Sequence, residues 1–442
     1  MDKLKLKVTI IIALVTIVVG GGIVYGVFFA KGDYKGTLNV WVIFGDRDDY
    51  KGAIAAFQKI HRKVKINVVL KNPNTYEKEL VESLAEGIGP DIMMVHNSWL
   101  PKYKNILTAL PSSISTKYSF GLREYQNDLV EVITQDFVDS GQIYAMPLST
   151  DTLQLYWNKD LFNTAGITYP PRTWDEVVQY VPKLTLKDAR NNITQSAISL
   201  GTADNINRAS DVLSLLMLQT GTKMTDDKNI RATFQSLASK NGKDYNPGET
   251  ALSFYVSFAN PANLNYSWNS GMNYSINVFT QGRLAMMINY AYNFDKIKSD
   301  NPRLNFSVAP IPQTSDVSKS LTFANYWAYG VSNHSANYEV AWDFLMFFSG
   351  LGSGGDANVV TNYLKETHQF PARRDLISIF KQDPLKGAFA DGALQAADWH
   401  RAEPNEIETI FLNMIKLVSS GSQSATKAIQ QASAQVTNLM HK

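Results

Sequence analysis

LNVWVIFGDRDDYKGAIAAFQKIHRKVKINVVLKNPNTYEKELVESLAEGIGPDIMMV, residues 38–95, decides the fold class. LNVWVIF (38–44) reads as a buried strand. Tyr50 to Ile60 places apolar residues at helical spacing, and KINVVL (65–70) is a second strand. Thr75 to Glu86 reads as a helix, with Thr75 as N-cap, Leu80, Val81 and Leu84 on one face, and Gly87 at its end. DIMMV (91–95) is a third strand. Strand and helix in this alternation imply an α/β fold with a mostly parallel, helix-covered sheet.

The pattern resumes further along. IYAMPL (143–148), LQLYW (153–157), SAISL (196–200), LAMMI (284–288), FSVAP (306–310) and WAYGV (327–331) read as strands. Helical spacing recurs over 174–184, 209–220, 250–259, 336–349, 405–418 and 423–440. Residues 221–248 are polar and turn-rich, and GLGSGGD (350–356) has the composition of a flexible turn. At 442 residues the chain is too long for one simple core, so two domains or lobes are expected.

Lys+Arg number 42 against 40 Asp+Glu, and no basic stripe is interleaved with aromatics, so a nucleic-acid partner is not expected. The absence of cysteine excludes disulfides, thiolate metal sites and cysteine nucleophiles. Six histidines are scattered without ligand spacing, and neither a metal nor a cofactor is expected. GDRDDYKG lacks the glycine placement of a calcium loop. A glycosidase needs two carboxylates flanking the bond, and nothing marks Asp46, Asp48 or Asp151 as a buried acid.

Residues 8–30, VTIIIALVTIVVGGGIVYGVFFA, carry no charge and are long enough to cross a membrane. Lys3, Lys5 and Lys7 precede the run, which favours the bulk of the chain outside. A cleaved signal peptide is the rival reading. Phe28-Phe29-Ala30 is a poor cleavage site, so an uncleaved N-terminal transmembrane helix is the expectation.

Several strands end alike. LNVWVIF runs into Gly45-Asp46-Arg47-Asp48, DIMMV into His96-Asn97-Ser98-Trp99, and LAMMI into Asn289-Tyr290-Ala291-Tyr292-Asn293. Asn325-Tyr326-Trp327 opens WAYGV. In open α/β sheets ligands bind beyond the carboxyl ends of strands. Flat rings beside fixed polar groups suit a ligand with apolar faces and hydroxylated edges, as a sugar has.

GPDIMMV, YWNKDLF with PPRTWDE, QGRLAMMIN and FPARRDL, in this order and spacing, resemble the carbohydrate-type extracellular solute-binding proteins, the maltose-binding-protein-like subunits of ABC importers. The resemblance spans nearly all of the chain after residue 36. It implies a two-lobe periplasmic-binding-protein type II fold with a ligand cleft between the lobes. Lobe 1 is expected over 36–148 plus 306–351, and lobe 2 over 149–305 plus 352–442, after a membrane anchor and linker at 1–35. Crossings are expected near 146–151, 306–310 and 349–355.

By the same resemblance Asp46 and Arg47 match a polar pair that holds sugar hydroxyls, although one extra residue separates them from Trp41. Asn97 and Trp99 match the loop after the third strand. Asp151 stands where relatives often have a ligand-binding polar group, and Tyr292 matches a stacking aromatic. Tyr290, Asn325, Trp327 and Trp399 complete the candidate set. Arg373 lies near the cleft in relatives, with a structural ion pair as the alternative. Asn405-Glu406-Ile407-Glu408 replaces a stacking aromatic of maltose binders, which argues against maltose itself. The implied function is extracellular binding of a sugar or oligosaccharide, delivered to membrane permease subunits served by a separate ATPase. A sensory or adhesive surface protein of the same fold, and a peptide or polyamine binder, are the alternatives.

Overall fold

The computed structural model describes residues 34–240, 242–315 and 320–441. The expected anchor at 8–30 lies outside the described residues. Among the described residues no helix is long and apolar enough to cross a membrane.

Two mixed sheets organise the chain. The first runs in the order Lys63–Leu70, Lys35–Val42, Ile92–His96, Trp327–Ser332 and Leu107–Thr108, with Ala145–Met146 also paired to Trp327–Ser332. In Lys35–Val42 the inward residues Leu38, Val40 and Val42 alternate with more exposed ones, the mark of a strand that must cover a core on one face. Ile92–Val95 is buried throughout, because this strand is flanked on both sides and covered on both faces. Helix Tyr338–Ser349 packs on Trp327–Ser332 and against helices Lys51–Ile60 and Ala357–Glu366.

The second sheet runs Phe306–Ala309, Gln154–Asn158, Leu284–Asn289, Ile193–Ile198, Leu186–Lys187. Leu284–Asn289 lies at its centre with all six residues buried. Helices Trp174–Leu184 and Ser275–Thr280 pack on this sheet, and helices Ala209–Gln219, Pro247–Ser257, Pro404–Ser419 and Ala425–Met440 pack together in the same lobe.

Several expectations need correction. Only the first three strands of the first sheet, and Ile193–Ile198 with Leu284–Asn289 in the second, pair in parallel. The strands that return from the other lobe enter antiparallel, so the sheets are not mostly parallel. Phe306–Ala309, assigned by sequence to lobe 1, pairs with Gln154–Asn158 in the second sheet, and Phe306 stacks on Tyr156. Ala357–Glu366, assigned to lobe 2, packs in the first lobe, where the Tyr363 hydroxyl lies 3.4 Å from that of Tyr50 and 3.3 Å from that of Tyr329. IYAMPL is broken into the short pieces Gln142–Ile143 and Ala145–Met146. Thr75 occupies the cap position but does not cap; its hydroxyl donates to Glu79.

The second crossing accordingly lies at 323–326, not at 306–310, and the third at 369–373, not at 349–355. Three segments run side by side between the lobes. Thr150 N donates to Phe370 O at 2.9 Å and Ala372 N to Leu148 O at 3.1 Å. Asn325 N donates to Asp151 O and Leu153 N to Phe323 O, both at 3.0 Å. This narrow hydrogen-bonded ribbon joins the two sheets.

Candidate functional site

Strand register builds one wall of the cleft. Trp327 pairs with His96 across the antiparallel ladder, which sets their rings 5.0 Å apart. Trp99, three residues beyond, meets Trp327 edge-on at 5.1 Å. Tyr76 opens the helix Tyr76–Ala85 and stacks on Trp99 at 6.1 Å, its hydroxyl donating to Met94 O. Phe44, just past the first strand, closes the group at 5.9 Å from Trp327. Tyr76 and Trp99 are buried, whereas Phe44 is 44% exposed and Trp327 partly open, so the outer rings present free faces.

His96 is held as a neutral tautomer. Its Nδ1 accepts from Ser98 N at 3.3 Å and lies 2.7 Å from Ser98 Oγ, which leaves the proton on Nε2, 3.3 Å from Asn325 Oδ1. Burial, reinforced by the charge of Arg401, pushes the ring down to about 3.

The facing wall comes from two helix starts. Arg208 precedes helix Ala209–Gln219 with φ of 62°, a left-handed conformation that costs a residue with a side chain about 1–3 kcal/mol. That turn sets its guanidinium beside the rings of Tyr290 and Tyr292, with Nε donating to Tyr292 Oη at 2.9 Å. Tyr290 in turn donates to Asp211 Oδ2 at 2.9 Å. Trp399 stacks on Phe411 at 5.7 Å, and Ile407 and Glu408 lie one turn earlier on the same helix. Together the walls enclose about 440 Å³, within the usual range for a small-molecule site. Ser210 Oγ and Arg401 Nε on this lining are buried without a hydrogen-bond partner, positions that a ligand or water must satisfy.

The lobes touch at the cleft's edges. Lys102 pairs with Glu403 at 2.7 Å, and Asn405 Nδ2 donates to Glu77 at 3.2 Å. Deeper in, Asn97 Nδ2 donates to Asp398, which Arg401 holds through two bonds of 2.8 Å, and Tyr326 donates to Asp136 at 2.6 Å. Burial pushes both Asp136 and Asp398 up. Asp136 is the member that keeps the proton, because the Arg401 bonds favour an ionised Asp398. The folded protein therefore binds protons that the unfolded chain releases. This contribution to stability is full below the ordinary carboxylate range and is lost as pH rises through the raised values. Asp136→Asn is expected to flatten that part of the dependence, seen as a smaller difference in melting temperature between pH 5 and pH 8.

The candidate residues divide accordingly. Trp99, Asn325, Trp327 and Trp399 line the cavity. Asn97 faces a neighbouring space of about 390 Å³ beyond Trp399 and Arg401. Asp46 and Arg47 are exposed and outside the lining; Asp46 caps the short helical turn Arg47–Tyr50 through Asp48 N. Asp151 is turned to the backbone, accepting from Thr152 N, Ala291 N and Tyr292 N, and burial raises it to about 7. Arg373 bonds Asp375 and the carbonyls of Ser349 and Gly350, the ion-pair alternative. Tyr290 is fully buried beneath Arg208.

Tyr292 is 54% exposed and stands behind Arg208, not on the lining. Its link to the cavity is the hydrogen bond from Arg208. Tyr292→Phe, which removes one hydrogen bond worth about 1 kcal/mol, should weaken binding roughly fivefold in calorimetric titration and leave the melting temperature nearly unchanged.

Phe44, Tyr76, His96, Arg208, Asp211, Arg401, Glu408 and Phe411 line the cavity but were not selected from the sequence. Phe44 lies two residues past the end of the first strand and His96 ends the third, both at strand ends that the sequence marks. Nothing local marks Arg208, whose importance comes from a backbone conformation.

A family model described as bacterial extracellular solute-binding protein matches residues 45–351. The galactooligosaccharide-binding protein of Bacillus subtilis (strain 168) is 24% identical over 420 residues, covering 91% of this chain and 89% of that protein. Among solved structures, the sugar-binding protein MalE of Xanthomonas citri aligns with a TM-score of 0.75 at 18% identity, covering 92% of this chain and 98% of its own. The substrate-binding protein Lmo0181 of Listeria monocytogenes, in complex with cycloalternan, aligns at 0.71 and 18%, covering 92% and 100%. At such identities the structural likeness speaks for the fold.

Proposed function

The chain belongs to the bacterial extracellular solute-binding proteins, and from that premise we propose that it is the carbohydrate-binding subunit of an ABC importer. One observation carries the reading. Open aromatic faces on one lobe, Phe44 and Trp327, look across a hinged cleft at the hydrogen-bonding groups Arg208, Ser210 and Glu408 on the other. A sugar ring offers the matching surfaces: C–H faces for the rings and hydroxyls for the polar wall. The names of the relatives, among them binders of galactooligosaccharide and cycloalternan, support the same class.

Binding is non-covalent. The ligand draws the lobes together about the three-segment ribbon, and the permease reads the closed form. Residues 8–30 keep the protein at the membrane, with the cleft outside the cytoplasm. Trp99, Asn325, Trp327 and Trp399 contact the ligand, while Asp151, Tyr290 and Tyr292 hold the turn that supports Arg208.

A thermal-shift screen against carbohydrates, amino acids, peptides and polyamines tests this. A sugar is expected to raise the melting temperature, since only the folded state binds it. A response confined to peptides or polyamines would overturn the carbohydrate reading. Transport is tested separately: loss of uptake of the bound sugar on deleting this chain supports an importer, and unchanged uptake favours a sensory role.

A further inference from the structure

Two buried donors on the cavity wall have nothing to bond. Ser210 is 5% exposed and Arg401 8%, and neither Ser210 Oγ nor Arg401 Nε has a hydrogen-bond partner among the described residues. Arg401 gives Asp398 only its Nη2, through two bonds of 2.8 Å. The carboxylate meets the charge of the guanidinium, and the Nε–H remains as an unused donor. The two groups share one corner of the cleft. Trp399 Nε1 donates to Ser214 Oγ at 3.4 Å, which seats the segment carrying Arg401 on helix Ala209–Gln219. Ser210 lies one turn before Ser214 on the same face, about 5–6 Å away between Cβ atoms. The rest of the corner is apolar. Trp399 stacks on Phe411 at 5.7 Å, and Ile407 lies one turn before Phe411 on the same helix.

Buried donors left empty lose their hydration without return, so a ligand that fills both gains more than one that fills neither. A sugar hydroxyl can accept, but it brings a proton of its own that needs a further acceptor. An amide carbonyl brings none and has two lone pairs, one for each donor. An acetamido group joins such a carbonyl to a methyl, and Trp399, Ile407 and Phe411 supply the apolar surface that a methyl packs against. We infer that the cleft prefers a sugar carrying an N-acetylated amine to the same sugar carrying a hydroxyl, and that Ser210 and Arg401 are the residues that select it. The inference rests on the carbohydrate reading and narrows it. A ligand carboxylate would also accept both bonds, but it would face Asp398 across the same guanidinium and be repelled by it.

Matched pairs test this in calorimetric titrations of the full-length chain: N-acetylglucosamine and glucose, N-acetylgalactosamine and galactose, and N,N′-diacetylchitobiose and cellobiose, with glucuronate as the charged acceptor. The expected result is that in at least one pair the acetamido sugar binds roughly tenfold or more tighter than its hydroxyl partner, and tighter than glucuronate. Ser210→Ala should bring that pair within about threefold. It should not lower the ligand-free melting temperature, because it removes a buried hydroxyl that bonds nothing in the ligand-free protein. Hydroxyl sugars bound as tightly as their acetamido partners in every pair overturn the inference and leave the carbohydrate reading standing. So does a preference that survives Ser210→Ala. Glucuronate bound more tightly than every acetamido sugar overturns it in favour of an anion site. Binding of none of these sugars overturns the inference, and the broader screen then decides separately whether any carbohydrate is the ligand.

Discussion

Trp327→Ala is expected to weaken ligand binding roughly 30–150-fold, a loss of about 2–3 kcal/mol. The ring supplies an open face to the cavity and is also the part against which Phe44, Tyr76, His96 and Trp99 are set. Its removal takes away one ligand contact and loosens four others. Because the ring is only partly buried, the ligand-free protein should lose less stability than in Trp342→Ala. Trp342 is fully buried in the first lobe, and its truncation should cost about 3–5 kcal/mol while the folded fraction still binds. Calorimetric titration beside ligand-free melting curves separates the two variants. Normal affinity in Trp327→Ala would make that residue a packing element.

Arg401→Ala should be the more damaging change to the ligand-free protein. Its side chain is 10% exposed and that of Asp398 2%, so truncation strands a buried carboxylate next to Asp136. Breaking such a pair from one side costs about 3–5 kcal/mol. The loss reaches across the cleft, since Asn97 of the first lobe donates to the same Asp398. Affinity should fall as well, because Arg401 lines the cavity. Adding Asp398→Asn removes the stranded charge and should restore part of the stability. Urea unfolding of the two single variants and the double variant measures this coupling. Strictly additive losses would mean that the pair does not act as a unit.

The sequence disclosed the architecture more readily than the site. Buried strands such as Ile92–His96 and Leu284–Asn289 are dense in apolar residues, and density survives without knowledge of partners. The path of the chain was harder to see. Phe306–Ala309 and Ala357–Glu366 are as apolar as any lobe core requires, and nothing in their composition says which core. At the site, the ends of strands pointed to the right places, but the choice of residue there depends on where the strand stops. The first strand ends at Val42, which leaves Phe44 on the cavity and Asp46 and Arg47 beyond it. Tyr292 carried the aromatic signature of a stacking residue, yet the turn puts its hydroxyl on Arg208. The opposite wall is built from helix starts, where polar residues are ordinary caps and so attract no notice. Glu408 was visible only as a departure from an expected aromatic.

The strand Trp327–Ser332 has a consequence for how the molecule comes into being. It sits between Ile92–His96 and Leu107–Thr108, so the middle of the first sheet is missing until the chain has been made past residue 332. Contacts such as His96 with Asn325 join positions 229 residues apart. The entropy of closing so long a loop must be met before the sheet gains its central pairing, which slows assembly. A nascent or truncated chain lacking this strand would expose the edge of Ile92–His96, four of whose five residues are apolar, to other chains. Slow assembly keeps the polypeptide unfolded for longer, the form in which a chain is threaded through a membrane, and leaves it dependent on protection from self-association until its last third arrives.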